Sequence, residues 1–274
     1  MPTLQRDNFT CYYEETGSGE PLILICGIGA DLQVWRFVVP ALSKHFRVIS
    51  LDNRGAGRSS SPDAVYTIRQ MADDVLALMD DLQIPSANIV GWSMGGIIAQ
   101  SLAVSHLERV KHLVLLGSFV AADGMLKNAI SNWVNIRRSD MPYEQVVRHV
   151  ARLVYSPALA NNEAAYEALI QAMLKNPYRQ SLQGFVRQAE ALIGYAAPAQ
   201  LSDLQVPISI LVGEHDQLAP PYLSEQLSAK FPHATLRVLP GAHSGFVEHP
   251  AQYAETVIAL ISQPNGMGGR GGHR

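Results

Sequence analysis

Gly91-Trp92-Ser93-Met94-Gly95 follows the short apolar run Asn88-Ile89-Val90 and opens onto Gly96-Ile97-Ile98-Ala99-Gln100-Ser101-Leu102-Ala103. The first run reads as a buried strand and the second as a helix, so the serine stands at a strand-to-helix turn, the setting of a nucleophile elbow. Such a turn forces the serine backbone into strain, and side chains at the flanking glycines would collide with the adjoining strand and helix. The strain holds the Oγ out above the sheet. It also places Ser93 at a helix N-terminus, where the backbone N–H of Met94 faces a developing negative charge. Serine between two glycines also occurs in ordinary turns, so partners elsewhere in the chain must decide its role.

Those partners stand in the expected order. Ile208-Ser209-Ile210-Leu211-Val212-Gly213 is a β-branched run that ends in Glu214-His215-Asp216. Ala234-Thr235-Leu236-Arg237-Val238-Leu239 is a further strand candidate, followed by Pro240-Gly241-Ala242-His243. The chain order Ser93, Asp216, His243 is that of a catalytic triad on an open α/β sheet. Each member sits just past the C-terminal end of an expected strand, the edge where ligands bind in parallel sheets. In that arrangement His243 takes the proton of Ser93, while Asp216 holds the imidazole tautomer and stabilises the imidazolium. Upstream, Leu22-Ile23-Leu24-Ile25-Cys26 is a continuous apolar strand that empties into Gly27-Ile28-Gly29-Ala30. The N–H of Ile28, with that of Met94, would form an oxyanion hole worth about 3–4 kcal/mol per donor at the transition state.

These segments together resemble the α/β-hydrolase superfamily, in the pattern of compact lid-bearing enzymes such as 3-oxoadipate enol-lactonases. The resemblance runs from Phe9 to Ser262. It is carried by Cys26-Gly27-Ile28-Gly29, Asp52-Asn53-Arg54-Gly55-Ala56-Gly57-Arg58-Ser59, Gly91-Trp92-Ser93-Met94-Gly95, Gly213-Glu214-His215-Asp216 and Gly241-Ala242-His243. It implies a serine hydrolase, with Asp216 rather than Glu214 as the acid. Serine at the elbow departs from the haloalkane dehalogenase and epoxide hydrolase branches, in which the resemblance places an aspartate there. Many relatives carry His-Gly at the oxyanion turn, where this chain has Cys26-Gly27.

Strand and helix signals alternate along the first part of the chain. Phe9 to Glu15 reads as an antiparallel strand turned by Gly17-Ser18-Gly19, Val34 to Ser43 as a helix, and Phe46 to Leu51 as a strand. Thr67 to Leu82 is an amphipathic helix with Thr67 as its N-cap, and Val110 to Leu116 is a strand. This rhythm predicts a mostly parallel twisted sheet with helices on both faces. From Phe119 to about Pro198 only helical periodicity remains, broken at Pro142, Pro157, Pro177 and Gly184. The expected organisation is a core formed by residues 1–118 and 199–262, a helical cap over the catalytic edge at 119–198, and a flexible glycine-rich tail at 263–274. Strand signals resume at Val206, and the last expected helix runs from Ala251 to Ile261.

Composition limits the alternatives. With 274 residues, 47% hydrophobic and 16% charged, the chain can build one large core. A formal charge of −3 without a basic stripe gives no basis for nucleic acid as a partner. No apolar run approaches the ~18 residues that cross a bilayer, so a soluble, cytoplasmic protein is expected. Cys11 and Cys26 make no disulfide framework and lack metal-ligand spacing, and Cys26 reads as a buried thiol rather than a nucleophile. Gly55-Ala56-Gly57 lacks the lysine of a phosphate cradle, and Asp73, Asp74, Asp80 and Asp81 read as a solvated helix face, so neither cofactor nor metal is expected. Asp52 and Arg54 read as a loop brace, and His215, His233 and His249 as surface or capping residues; Arg137-Arg138 could meet a carboxylate-bearing substrate, with an exposed pair as the default reading.

The expected reaction is cleavage of a carboxylic ester or lactone of a small molecule through an acyl-enzyme. The same residues also serve C–C bond hydrolysis of ring-opened β-diketones, cofactor-free perhydrolysis, or a small-molecule receptor with vestigial turnover.

Overall fold

The computed structural model describes residues 2–262 apart from Asp7. The glycine-rich tail lies outside the described residues. Eight strands form one sheet: β1 (Thr3–Arg6), β2 (Phe9–Thr16), β3 (Glu20–Ile25), β4 (Phe46–Leu51), β5 (Ala87–Trp92), β6 (Val110–Leu116), β7 (Ile208–Gly213) and β8 (Thr235–Leu239). Their spatial order is β1-β2-β4-β3-β5-β6-β7-β8. β2 runs antiparallel to both β1 and β4, and every other neighbouring pair is parallel. Helices α1 (Val39–Leu42), α2 (Ile68–Asp81) and α3 (Met94–Ser105) lie in the crossovers up to β6. Five more stand between β6 and β7: α4 (Gly124–Arg138), α5 (Tyr143–Val154), α6 (Pro157–Ala160), α7 (Glu163–Leu174) and α8 (Leu182–Ile193). α9 (Pro221–Lys230), α10 (Gly245–Glu248) and α11 (Pro250–Ser262) complete the chain described.

Period-two alternation sorts the strand side chains onto two faces. Ile23, Ile25, Ile49 and Leu51 join the core that packs α2, α3 and α9. Leu22, Leu24 and Val48 join the core under α1 and α11. Because both faces are covered, the central strands read as unbroken apolar runs. β5 is buried at every position, and α3 is buried from Met94 through Ala103. This layering brings the C-terminal ends of β3, β5, β6, β7 and β8 to one edge.

The structure departs from the sequence reading at several points. β1 carried no recognisable signal, because Thr-Leu-Gln-Arg is a short edge strand that alternates between exposed and half-buried positions. The helix expected over Val34–Ser43 is a 3₁₀ turn at Leu32–Phe37 followed by α1. Pro40 has no N–H with which to continue the ladder, so one helix cannot run through. Gly184 does not break a helix; it lies inside α8. A Cβ there would overlap the carbonyl of Gly55, so the missing side chain lets α8 press on the Asp52–Ser59 loop. Asp74 is buried rather than solvated. Its carboxylate accepts two hydrogen bonds from Arg54, at 2.8 Å from Nε and 2.7 Å from Nη2. Thr67 does cap α2, its side chain accepting from the N–H of Gln70.

One titratable group in the sheet gives the fold a pH dependence. His112 on β6 lies 3.0 Å from the Ser209 hydroxyl of β7, and burial pushes its imidazole down to about 4. The unfolded chain therefore binds the proton first, and stability is lost as pH falls from the ordinary histidine range toward 4. Wild type should lose about 2 kcal/mol from this residue between roughly pH 7 and 5. Denaturant titration of His112→Gln should reveal a correspondingly flatter acid limb; an unchanged slope would remove His112 as the cause.

Candidate active site

Ser93 adopts φ 54° and ψ −117°, and with Gln83 it is one of two non-glycine residues at positive φ among those described. The strain is held by close packing. A Cβ at Gly91 would overlap the carbonyl of Gly95, one at Gly95 the carbonyl of Ile25, and one at Gly96 the Ser118 hydroxyl. From below, the Ser93 N–H donates to the Leu116 carbonyl at 2.9 Å, and the Ser118 hydroxyl donates to the Ser93 carbonyl at 3.1 Å. The strand-to-helix turn is therefore over-determined, as an elbow requires.

Asp216 and His243 meet over the ends of β7 and β8. His243 Nδ1 lies 2.8 Å from Asp216 Oδ2, and both residues are 4% exposed. The other carboxylate oxygen, Oδ1, accepts the N–H groups of Leu218 at 3.0 Å and Ala219 at 2.8 Å. An ionised carboxylate only accepts, so Nδ1 carries the proton and Nε2 is left with a free lone pair. Glu214, the competing acid, is half exposed and lies 3.7 Å from His215 instead.

The loop bearing His243 is fixed from three directions. The Trp92 indole N–H donates to the His243 carbonyl at 2.8 Å, joining the elbow to that loop. The Ala242 N–H donates to Glu248 at 2.8 Å, and the Ser244 N–H donates to the Val154 carbonyl at the end of α5 at 2.9 Å. Gly117 has φ +50°, and a Cβ there would stand 3.1 Å from Asp216 Oδ2 and 3.2 Å from His243 Nδ1. Its place directly after a strand end was the available sequence signal. Ser93 and His243 line one cavity. No hydrogen bond joins the Ser93 hydroxyl to His243 among the described residues, a gap of the kind that unliganded sites close when substrate binds.

The turn after β3 lies against the elbow. A Cβ at Gly27 would sit 3.2 Å from Ser93 Cβ, and Gly29 takes φ +78°. Behind the turn, the Asn53 side-chain amide donates to the Cys26 carbonyl at 2.9 Å. Gln188 of α8 bridges this turn to the next loop, accepting from the Gly29 N–H at 3.4 Å and donating to the Arg54 carbonyl at 2.9 Å. Ile28 borders the cavity, and Met94 begins α3, so its N–H has no acceptor within the helix. Cys26 is fully buried, and burial pushes its thiol well above the ordinary range, which makes it a poor nucleophile. Asp52 accepts the N–H groups of Leu32 at 2.7 Å and Arg58 at 2.8 Å, the brace read from sequence, and burial raises its pKa to about 6.

Helices α4, α5 and α7 supply the opposite wall of the cavity, whose volume is about 180 Å³. For scale, an apolar cavity of about 150 Å³ accommodates benzene. Trp133, Tyr143, Tyr155, Tyr178 and Met173 all line it. Met125 is instead 75% exposed, and Tyr166 packs against Val147, Ala151 and Ile170. Arg137 is half-buried and reaches the wall, contrary to the exposed pair expected, whereas Arg138 is exposed. Among the described residues no group of three or more His, Cys, Asp or Glu side chains could hold a metal ion, and no helix is long and apolar enough to cross a membrane.

A buried imidazole oriented by a carboxylate, beside a strained serine at a helix N-terminus, has the parts for nucleophilic attack on a carbonyl. Comparison with known proteins agrees with this architecture. Residues 20–250 match the alpha/beta hydrolase fold family. A pimeloyl-[acyl-carrier protein] methyl ester esterase of Pectobacterium carotovorum is 31% identical, covering 92% of this chain and 98% of its own. A 2-hydroxymuconate semialdehyde hydrolase of a Pseudomonas species is also 31% identical, over 91% of this chain and 89% of its own. The crystal structure of the enol-lactonase from Burkholderia xenovorans superposes with a TM-score of 0.87 at 26% identity, covering 96% of this chain and all of that one. Fold, edge geometry and sequence similarity thus converge, and the chain belongs to the α/β-hydrolase fold family of enzymes.

Proposed function

We propose that this hydrolase cleaves a carboxylic ester or lactone of a small molecule with Ser93 as nucleophile, His243 as general base and acid, and Asp216 as the group that orients the histidine. Ser93 Oγ attacks the substrate carbonyl while Nε2 of His243 takes its proton. The N–H groups of Ile28 and Met94 stabilise the oxyanion. The protonated His243 then delivers its proton to the departing alcohol, leaving an acyl-Ser93. Water activated by the same imidazole hydrolyses that ester and regenerates the serine. In a lactone the departing alcohol stays tethered to the acyl group until hydrolysis releases the open-chain acid.

The observation that carries this reading is the 2.8 Å Asp216–His243 contact, which leaves Nε2 free on the cavity that Ser93 also lines. Residues 119–198 act as the cap in this account, since their helices form the wall facing the elbow and the cavity suits a small acyl group rather than an extended polypeptide. The names of the esterase and the enol-lactonase support ester or lactone chemistry. The semialdehyde hydrolase gives C–C bond cleavage as a second reading, because its named substrate offers neither an ester nor a lactone. Steady-state turnover of p-nitrophenyl acetate and butyrate tests the first reading. A burst without turnover would instead favour a receptor, and turnover confined to ring-fission diketones in a mixed substrate panel would favour the second reading.

A further inference from the structure

Arg137 and Arg179 stand out as cationic groups on the cavity wall with nothing to neutralise them. Arg137, in the last turn of α4, is half-buried, donates from Nη2 to the Gln180 carbonyl at 2.8 Å, and lies over the Phe185 ring at 4.6 Å. Arg179 lies over the Tyr143 ring at 3.1 Å. Among the described residues, neither guanidinium has a carboxylate within 4.0 Å. Burial lowers the Arg137 pKa from its ordinary value; Tyr143 opposes the shift, and the nearby charge of Arg179 adds a smaller lowering. The cavity's acidic side chain, Asp31, is engaged elsewhere: it accepts from the Gln33 N–H at 2.9 Å and from the Asn176 amide at 2.5 Å.

The position of the pair is equally informative. Arg137, Tyr143, Arg179 and Gln180 line both the cavity containing Ser93 and a neighbouring one that includes neither Ser93, Ile28 nor His243. The two arginines therefore stand at the end of the site remote from the nucleophile, where the cavities adjoin. Trp133, four residues before Arg137 on α4, is the side chain that touches Gly29 of the oxyanion turn: a Cβ on that glycine would lie 3.1 Å from its ring. Arg137 is thus about one helical turn, roughly 6 Å along the axis, from the wall over the reacting carbonyl.

We propose that Arg137 and Arg179 form an anion subsite that selects substrates carrying a carboxylate several bonds away from the scissile ester or lactone carbonyl. Arg137 is half-buried and Arg179 exposed; two like charges on one wall repel each other until an anion enters, and a carboxylate accepts charge-assisted hydrogen bonds from both. The preferred substrate class is then the half-ester of a dicarboxylic acid, or a lactone bearing a carboxylate side arm. This deepens the functional reading above and rests on it for the location of the scissile bond.

Two measurements separate failure of the subsite from failure of that reading. The first compares kcat/KM for the mono-p-nitrophenyl ester of adipic acid with that for p-nitrophenyl valerate, in wild type, Arg137→Gln, Arg179→Gln and the double variant. The expected result is a loss of roughly tenfold to a hundredfold for the anionic ester in the double variant, with the neutral ester changed by about twofold or less. An equal fall for both esters, or no fall for the anionic one, would overturn the proposal. The second is calorimetric binding of monomethyl adipate and dimethyl adipate to Ser93→Ala with and without the arginine substitutions. The monoester should bind more tightly than the diester, and only with the arginines present; equal affinities would overturn the subsite even if no ester is turned over. Loss of all ester turnover in wild type alongside arginine-dependent monoester binding would leave the subsite standing and reject the reaction.

Discussion

Ser93→Ala is expected to reduce ester hydrolysis by roughly 10⁴- to 10⁶-fold, the range seen when a triad nucleophile is removed. The protein should nevertheless fold as before. The Ser93 hydroxyl makes no hydrogen bond among the described residues, and alanine bears the same strained φ of 54°. The contacts that impose that strain come from the backbone N–H and carbonyl of residue 93 and from the glycines around it, and the substitution leaves all of these in place. Thermal unfolding should shift by no more than a couple of degrees (about 1 kcal/mol or less). Retention of more than about a tenth of wild-type turnover, in protein with an unchanged unfolding curve, would reject Ser93 as the nucleophile.

Asp216→Asn should cost about 10⁴-fold in kcat. The local hydrogen bonds give the reason. The asparagine oxygen can still accept the N–H groups of Leu218 and Ala219, the contacts Asp216 Oδ1 now makes. That arrangement turns the asparagine NH₂ toward His243 Nδ1, which must then accept rather than donate. The imidazole proton moves to Nε2, and the histidine loses the lone pair with which it would deprotonate Ser93. Glu214→Gln is the matching control and should change kcat by about twofold or less, since its exposed carboxylate touches His215 and not His243. A loss below about tenfold for Asp216→Asn would mean that another acid orients the histidine.

The parts of the site fixed by local chain chemistry were legible in the sequence. The elbow announces itself because the crowding of Gly91, Gly95 and Gly96 leaves no room for a Cβ. The strand-end positions of Asp216 and His243 follow from β-branched runs whose boundaries are sharp. Contacts made across the fold were hidden. Asp74 lies among other aspartates on α2, and nothing local reveals that Arg54, twenty residues earlier, turns inward to meet it. Gly184 reads as a helix breaker, because its role is to let α8 approach Gly55. Gln188 and the Trp92 indole support the site through partners far away in sequence, so composition and periodicity give them no signature. Arg137 was set by default in an exposed pair for a similar reason: a doubled arginine usually faces solvent, and only the packing of α4 against α8 separates Arg137 from its exposed neighbour.

The most direct test of a serine nucleophile activated by His243 is covalent labelling with diethyl p-nitrophenyl phosphate, followed by peptide mass mapping. The expected result is a single phosphoryl adduct on Ser93, release of one equivalent of p-nitrophenol, and loss of hydrolysis in proportion to labelling, with the labelling itself largely abolished in His243→Ala. An adduct on any other residue, or a fully labelled Ser93 in protein that still turns over esters, would contradict it.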